Sequence, residues 1–337
     1  MHMADALLSP LVGTAFWVAS AALIGYSAKK ITEENDPQKT PLMGVLGAFV
    51  FAAQMINFTI PGTGSSGHLG GGLLLAILLG PYRAFITLAS VLIIQCLFFA
   101  DGGLLALGCN LFNLAFFPVF IAAPFIYRVI AGTAPSSAKL AAGSITAATA
   151  GLLMGSFSVV TQTVMSGISE LPFNLFLLFM LPVHLAIGVV EGLVTWGVLS
   201  FISATEPSLL RGDAASARPR FILAIFTVAA LMTGGVVSGF ASSLPDGLEW
   251  SIAKITGTGE LKNATEPLHK MLADIQQKIA FLPDYGFKPG AEQPEPGVSP
   301  DSIGSSMSGI VGTLSVLLGA GCAGLLLGRK HPKPKSS

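Results

Sequence analysis

The sequence predicts an all-α polytopic membrane protein, and three observations carry the prediction. Of 337 residues, 52% are hydrophobic and only 11% are charged, against about 25% charged in a typical soluble domain. Lys plus Arg and Asp plus Glu number 18 each, so the formal net charge is zero. The apolar residues gather in runs near the ~20 residues that a helix needs to cross a bilayer. They do not alternate in polarity, as strands of a membrane barrel would. A soluble enzyme, a nucleic-acid binder and a disordered tail are excluded.

Nine apolar segments follow one another, at about 8–28, 42–60, 69–80, 84–100, 103–127, 139–165, 172–202, 221–241 and 303–328. The opening MHMADALLSP has neither a basic n-region nor a small-residue cleavage site, so the mature chain is expected to begin at or near Met1. The third segment is short. Gly80-Pro81 ends it, and the Gly-rich stretch GTGSSGHLGGG (62–72) precedes it. Such a segment reads as a re-entrant half-helix, and irregular backbone at membrane depth survives only where it lines a protein cavity. Residues 62–72 are therefore expected to face one.

Cations orient the bundle with the N-terminus extracytoplasmic. Lys29, Lys30, Lys39, Arg83, Arg128, Lys139, Arg211, Arg218 and Arg220 then fall inside, with Arg329, Lys330, Lys333 and Lys335 of the tail. The short outer loops 59–68, 101–103 and 166–171 contain no Lys or Arg. This fit requires the third segment to cross or reverse direction.

Composition shifts near residue 203. SATEPSLLRGDAASARPR (203–220) is polar and basic and reads as a cytoplasmic linker. Beyond it lie one helix, a polar loop (242–302) and a last helix. KPGAEQPEPGVSP (288–300) within that loop is expected to be extended or disordered. The chain thus divides into a seven-helix unit and a two-helix unit. No internal repeat is visible. Small residues recur at packing spacing (Ala15/Ala19, Gly151/Gly155, Gly188/Gly192, Gly324/Gly328), for internal packing or for a partner subunit. Cys96, Cys109 and Cys322 form no CxxC pair and read as buried small apolar residues.

No GxxxxGK[ST] phosphate loop, Ser-His-Asp arrangement or HExxH motif occurs. Any ATP that drives transport is hydrolysed by another chain. Five histidines remain. His331 in the basic tail and His269 in the polar loop read as solvated.

His2 is different. With Met1 retained, the α-amine, the His2 backbone nitrogen and the His2 imidazole Nδ1 can chelate one ion through five- and six-membered rings. Three nitrogens in one plane suit Ni(II) or Cu(II), and also low-spin Co(II), rather than Mg(II) or Ca(II). Amine and imidazole must both lose their protons to bind. His68, in the cavity-facing stretch on the same outer side, supplies a fourth nitrogen, and its flanking glycines let backbone approach closely. The competing reading is an ordinary flexible terminal residue.

His184 and Glu191 share one helix, LPVHLAIGVVEGLVTW (181–196), on the same face and about 10 Å apart along its axis. Ionisable residues inside a membrane helix are functional candidates; structural contacts to a neighbouring helix are the alternative. Asn110, Asn113 and Gln95 read as interhelical hydrogen bonds or as support behind a ligand.

MHMADALLSP, SSGHLGG (65–71), DGGLLALGCN (101–110) and HLAIGVVEG (184–192) resemble the CbiM/NikM family of substrate-capture (S) components of energy-coupling factor transporters for cobalt and nickel. The resemblance covers about residues 1–205. SSLPDGLEWS (242–251) resembles the signature of the NikN-type PDGLE subunit, over about 221–328. The chain therefore looks like an M–N fusion: a metal-binding transmembrane domain 1–205, a linker 206–220, a two-helix PDGLE domain 221–328 with external loop 242–302, and a basic tail 329–337. The opening MHMADALL departs from starts such as MHIMEG without changing the ligands.

The resemblance implies a metal site built from the Met1 amine, the His2 nitrogens and His68; Asn110, Asn113, Gln95, His184 and Glu191 remain candidates for support or relay on their placement alone. It implies a transmembrane coupling (T) subunit and ATPase subunits as partners, a bacterial or archaeal cytoplasmic membrane, no cofactor, and Ni(II) or Co(II) as cargo. Nickel comes first, because the PDGLE fusion looks like the nickel arrangement and planar nitrogens suit Ni(II). The alternatives are an ion-gradient-driven transporter with His184 and Glu191 as proton relay, and a membrane-embedded metal sensor without net transport. An intramembrane enzyme is the weakest, because no nucleophile–base pair is visible.

Overall fold

The computed structural model describes residues 1–34, 36, 39–133, 135–211, 219–258, 266–288 and 300–328. Residues 212–218 of the linker, the stretches 259–265 and 289–299, and the basic tail with His331 lie outside the described residues.

All nine apolar segments are helical. In order they are α1 (Pro10–Glu34), α2 (Thr40–Gln54), α3 (Gly72–Leu79), α4 (Pro81–Phe99), α5 (Leu107–Ala131), α6 (Ser137–Ser166) and α7 (Phe173–Thr205), then α8 (Pro219–Gly235). The loop before the last helix adds α9 (Gly247–Thr256) and α10 (Pro267–Ile279), and α11 (Pro300–Leu327) closes the chain. Among the described residues, seven helices are long and apolar enough to span a membrane, so the chain is a multi-pass membrane protein. α2 has 15 residues and α3 only 8, and nearly all of both is buried. The short third segment is thus a half-helix inside the protein, as its glycines and Pro81 suggest.

Three expectations are corrected. The second apolar segment does not run to residue 60: α2 stops at Gln54, and Phe58–Ile60 (β1) pairs antiparallel with Ser65–Gly67 (β2). Gly62 and Gly64 at φ +77° and +79° form the turn. His269 is buried, and its Nε2 donates to the Leu8 carbonyl at 2.8 Å. It lies on an amphipathic helix whose apolar side closes onto the bundle. Cys96 and Cys109 are buried, but Cys322 is exposed on α11.

Small residues set the helix spacing. A methyl at Gly188 would fall 2.6 Å from Thr149 Cα, and one at Gly192 would fall 2.4 Å from Ile145 Cα, so α7 touches the backbone of α6. Gly151 and Gly155 meet Pro118 and the Asn113 carbonyl of α5, and Gly324 and Gly328 meet Thr40 of α2. These three pairs serve internal packing. Pro118 and Pro124 lie inside α5, where neither can donate a backbone hydrogen bond, and Phe112–Tyr127 is wound as a wider π-helix. The last two membrane helices pack on α2: the Phe226 ring of α8 meets Phe49 edge to face, and the Leu317 carbonyl of α11 faces Gly44.

Candidate metal centre

The first residues enter the protein. Met1 is 3% exposed and Met3 fully buried. Asn110 of α5 clamps the Met3 main chain: its Oδ1 accepts from Met3 N at 2.7 Å and its Nδ2 donates to Met3 O at 3.2 Å. Gly103 N donates to the same carbonyl at 3.0 Å. Asn113 exchanges hydrogen bonds with Gln162 and reaches the Met3 sulfur at 3.5 Å.

His68 follows β2. Ser66 N donates to the Pro245 carbonyl at 2.8 Å, and Ser66 Oγ to the Leu244 carbonyl at 2.7 Å, so the PDGLE turn is stitched to the strand before His68. Beyond His68, both oxygens of Glu191 accept backbone N–H groups, from Gly70 at 2.8 Å and Gly71 at 3.0 Å. Gln54 donates to the Gly70 carbonyl at 2.8 Å, and Gln95 donates to Gln54 Oε1 at 2.8 Å. Gly71 has φ +76°, and a side chain there would strike Val50. Polar groups from α2, α4 and α7 thus hold the segment bearing His68.

The two segments meet. The Met1 amine is 3.2 Å from His68 Nε2 and 2.6 Å from Asp246 Oδ2. The His68 Nδ1 faces the Leu69 carbonyl at 3.1 Å. A carbonyl only accepts, so the neutral ring carries its proton on Nδ1 and turns the Nε2 lone pair to the amine. The His2 ring stacks on His68 with centroids 5.3 Å apart and planes 13° apart. Its Nδ1, however, faces Asp101 Oδ1 at 3.2 Å, and its Nε2 has no partner. The amine and His68 are therefore in place, while the His2 ring must turn from Asp101 before Nδ1 can join them. Among the described residues, no three His, Cys, Asp or Glu side chains stand where they could hold a metal.

Electrostatics keep the imidazoles neutral. Burial, then the positive charge of the amine, pulls the His2 imidazole down to about 3 and that of His68 to about 4. Burial alone would raise Asp246, but the amine charge and His68 outweigh it and hold its carboxyl well below the usual carboxylate range. Asp101 is raised by burial, against a hydrogen bond from Tyr285 OH at 2.5 Å.

Asp101 and Asp246 lie in quoted motifs but were not expected in the site. Asp246 had a readable signal. It caps α9 through Oδ1, which accepts from Leu248 N and Glu249 N, and the Glu249 side chain accepts from Asp246 N. This capping box is spelled by the Asp246-to-Glu249 spacing. It leaves Oδ2 free for the amine. The expected partners Asn110 and Glu191 touch the terminus and the His68 segment directly. Gln95 acts through Gln54. His184 lines a small cavity beside Met1 and His68.

Residues 2–209 match the CbiM family, described as the cobalt uptake substrate-specific transmembrane region. The chain belongs to the CbiM family. Residues 220–329 match the PDGLE domain. A putative fused nickel transport protein NikMN from Archaeoglobus fulgidus is 36% identical over 94% of this chain and 96% of its own length. A putative metal transport protein from Haloquadratum walsbyi is 36% identical over 62% of this chain and 93% of its own length. A solved transition metal transporter superposes with TM-score 0.55 at 28% identity, covering 64% of this chain and 98% of that structure. This CbiM-family chain is a membrane component of metal transport, joined to a PDGLE domain.

Proposed function

We propose that the chain is the substrate-binding component of an energy-coupling factor importer and that it captures Ni(II) or Co(II) with the Met1 amine, the His2 backbone and imidazole nitrogens, and His68. The observation that carries this reading is the approach of the Met1 amine to His68 Nε2 at 3.2 Å in a buried setting, where both rings stay neutral. Neutral imidazoles are what a divalent late transition metal takes, and the amine joins them by giving up its proton on binding. On binding, the His2 ring leaves Asp101 and turns Nδ1 into the plane of the other three nitrogens.

The division into 1–205, 206–220, 221–328 and 329–337 places capture in the first domain. The PDGLE domain supplies the turn that closes over it and promotes loading. Relatives named as fused nickel transport proteins favour nickel. The N-terminus opens to the outside, in accord with the cations of the short loops. The missing phosphate loop assigns ATP hydrolysis to separate ATPase subunits, reached through a transmembrane coupling subunit. The engagement of both Glu191 oxygens by backbone N–H groups supports a holding role over a proton relay.

The test is nickel titration of the purified full chain carrying His68→Ala. One corner of a four-nitrogen set is removed, and tight binding should disappear. Unchanged binding would refute the site.

A further inference from the structure

His184 is 1% exposed, on α7, in the wall of a small cavity shared with Met1, His68 and Asp246. Its Nδ1 faces the Met180 carbonyl at 2.8 Å, and its Nε2 has no hydrogen-bond partner. The carbonyl can only accept, so the neutral ring places its proton on Nδ1 and leaves a lone pair on Nε2. Ligating histidines are commonly fixed this way, with the far nitrogen donating to a carbonyl. His68 shows the same arrangement through Leu69. Two imidazoles in one cavity thus share one tautomer. The Nε2 of His68 points to the amine, and that of His184 has no protein partner.

A buried ring nitrogen without a partner is costly to a fold. A methyl at Gly247 would come within 3.1 Å of His184 Cε1, so the PDGLE turn closes directly over the ring. Apolar groups such as Leu152 and Ile187 complete the wall and offer no competing donor. An ion leaving the cradle into this cavity meets one free nitrogen.

We propose that His184 Nε2 is a second nitrogen station for the transition-metal ion, receiving it from the cradle as it moves inward. The step is ligand exchange: a metal–nitrogen bond to His68 breaks as one to His184 forms, with no change of oxidation state. This proposal rests on the capture function stated above.

The full chain is compared as wild type, His184→Phe, His184→Gln and His184→Cys. Nickel affinity of the purified proteins is measured beside radioactive nickel accumulation by cells that contain the chain and its native partner subunits. The Phe and Gln variants should bind nickel within about threefold of wild type, which also shows that they fold, and should accumulate it at least tenfold more slowly. With cobalt(II), His184→Cys should add a thiolate-to-metal charge-transfer band that wild type lacks. Accumulation at the wild-type rate in the Phe and Gln variants would overturn the proposal. So would slow accumulation without the cysteine band, since the ring would then be structural. Loss of equilibrium binding in both variants would place His184 in the capture set and overturn the hand-over. A wild type that fails to bind nickel or cobalt would sink the capture function itself, a distinct result.

Discussion

Glu191→Gln changes one atom type behind the His68 segment without removing a proposed ligand, and its effect can be worked out. Glu191 accepts from Gly70 N at 2.8 Å and Gly71 N at 3.0 Å, and it is 3% exposed. A buried hydrogen bond to a charged acceptor is worth about 1.5–3 kcal/mol. Glutamine keeps one accepting oxygen but turns an NH2 toward the second backbone N–H. One bond is lost and one buried donor goes unsatisfied, at about 1–3 kcal/mol. The seat of the His68 segment therefore weakens by about 3 kcal/mol. Binding feels this only so far as the segment leaves its seat, because a partly populated binding state raises the apparent dissociation constant by its fraction. The ceiling is roughly 150-fold, and the expected loss of nickel affinity is 10- to 100-fold. The assay is calorimetric or competitive nickel titration of the purified full chain. Binding within threefold of wild type would refute the claim that Glu191 positions His68.

Two further outcomes follow from the same contacts. Asn110→Ala removes two hydrogen bonds that seat Met3; nickel affinity should fall about 30-fold, at about 1 kcal/mol for each net bond, with the ion's absorption spectrum unchanged once saturated. Acid should loosen the metal-free protein as the unfolded chain offers its histidines the protons that folding excludes. His2 and His68 are held at about 3 and about 4, against an ordinary 6.5 in the unfolded chain. Folding excludes their protons, so stability is full above pH 6.5 and falls as pH drops toward 4, by at most about 1.4 kcal/mol per unit for each ring. Asp246, held low, keeps its contribution throughout that window. Thermal unfolding at pH 7, 5.5 and 4.5 should show a shallower slope in His2→Ala than in wild type.

The bundle was legible because the bilayer demands long apolar helices, and the glycines at 62–72 announced a break. The end of α2 was not, because Ile56 and Phe58 are apolar enough to continue a helix, and the turn at Gly62 and Gly64 reclaims them for a hairpin. His68, Asn110 and Glu191 stood out as polar residues in apolar surroundings. Asp101 and Asp246 did not, since aspartates in Gly-rich turns are ordinary. Only the fold shows that Asp246, 245 residues from Met1, reaches its amine. His269 misled for a related reason: a histidine in a polar helix looks solvated until the helix is seen lying on the bundle.

The proposed capture site depends most directly on the free amine of Met1. Three glycines inserted before Met1 carry the amine away from His2 and leave no amine–amide–imidazole chelate, while every side chain is kept. Nickel and cobalt titrations of this variant beside wild type are the decisive comparison. One ion bound tightly by wild type and none by the extended chain is the expected result. Equal binding by the two proteins would contradict the N-terminal site.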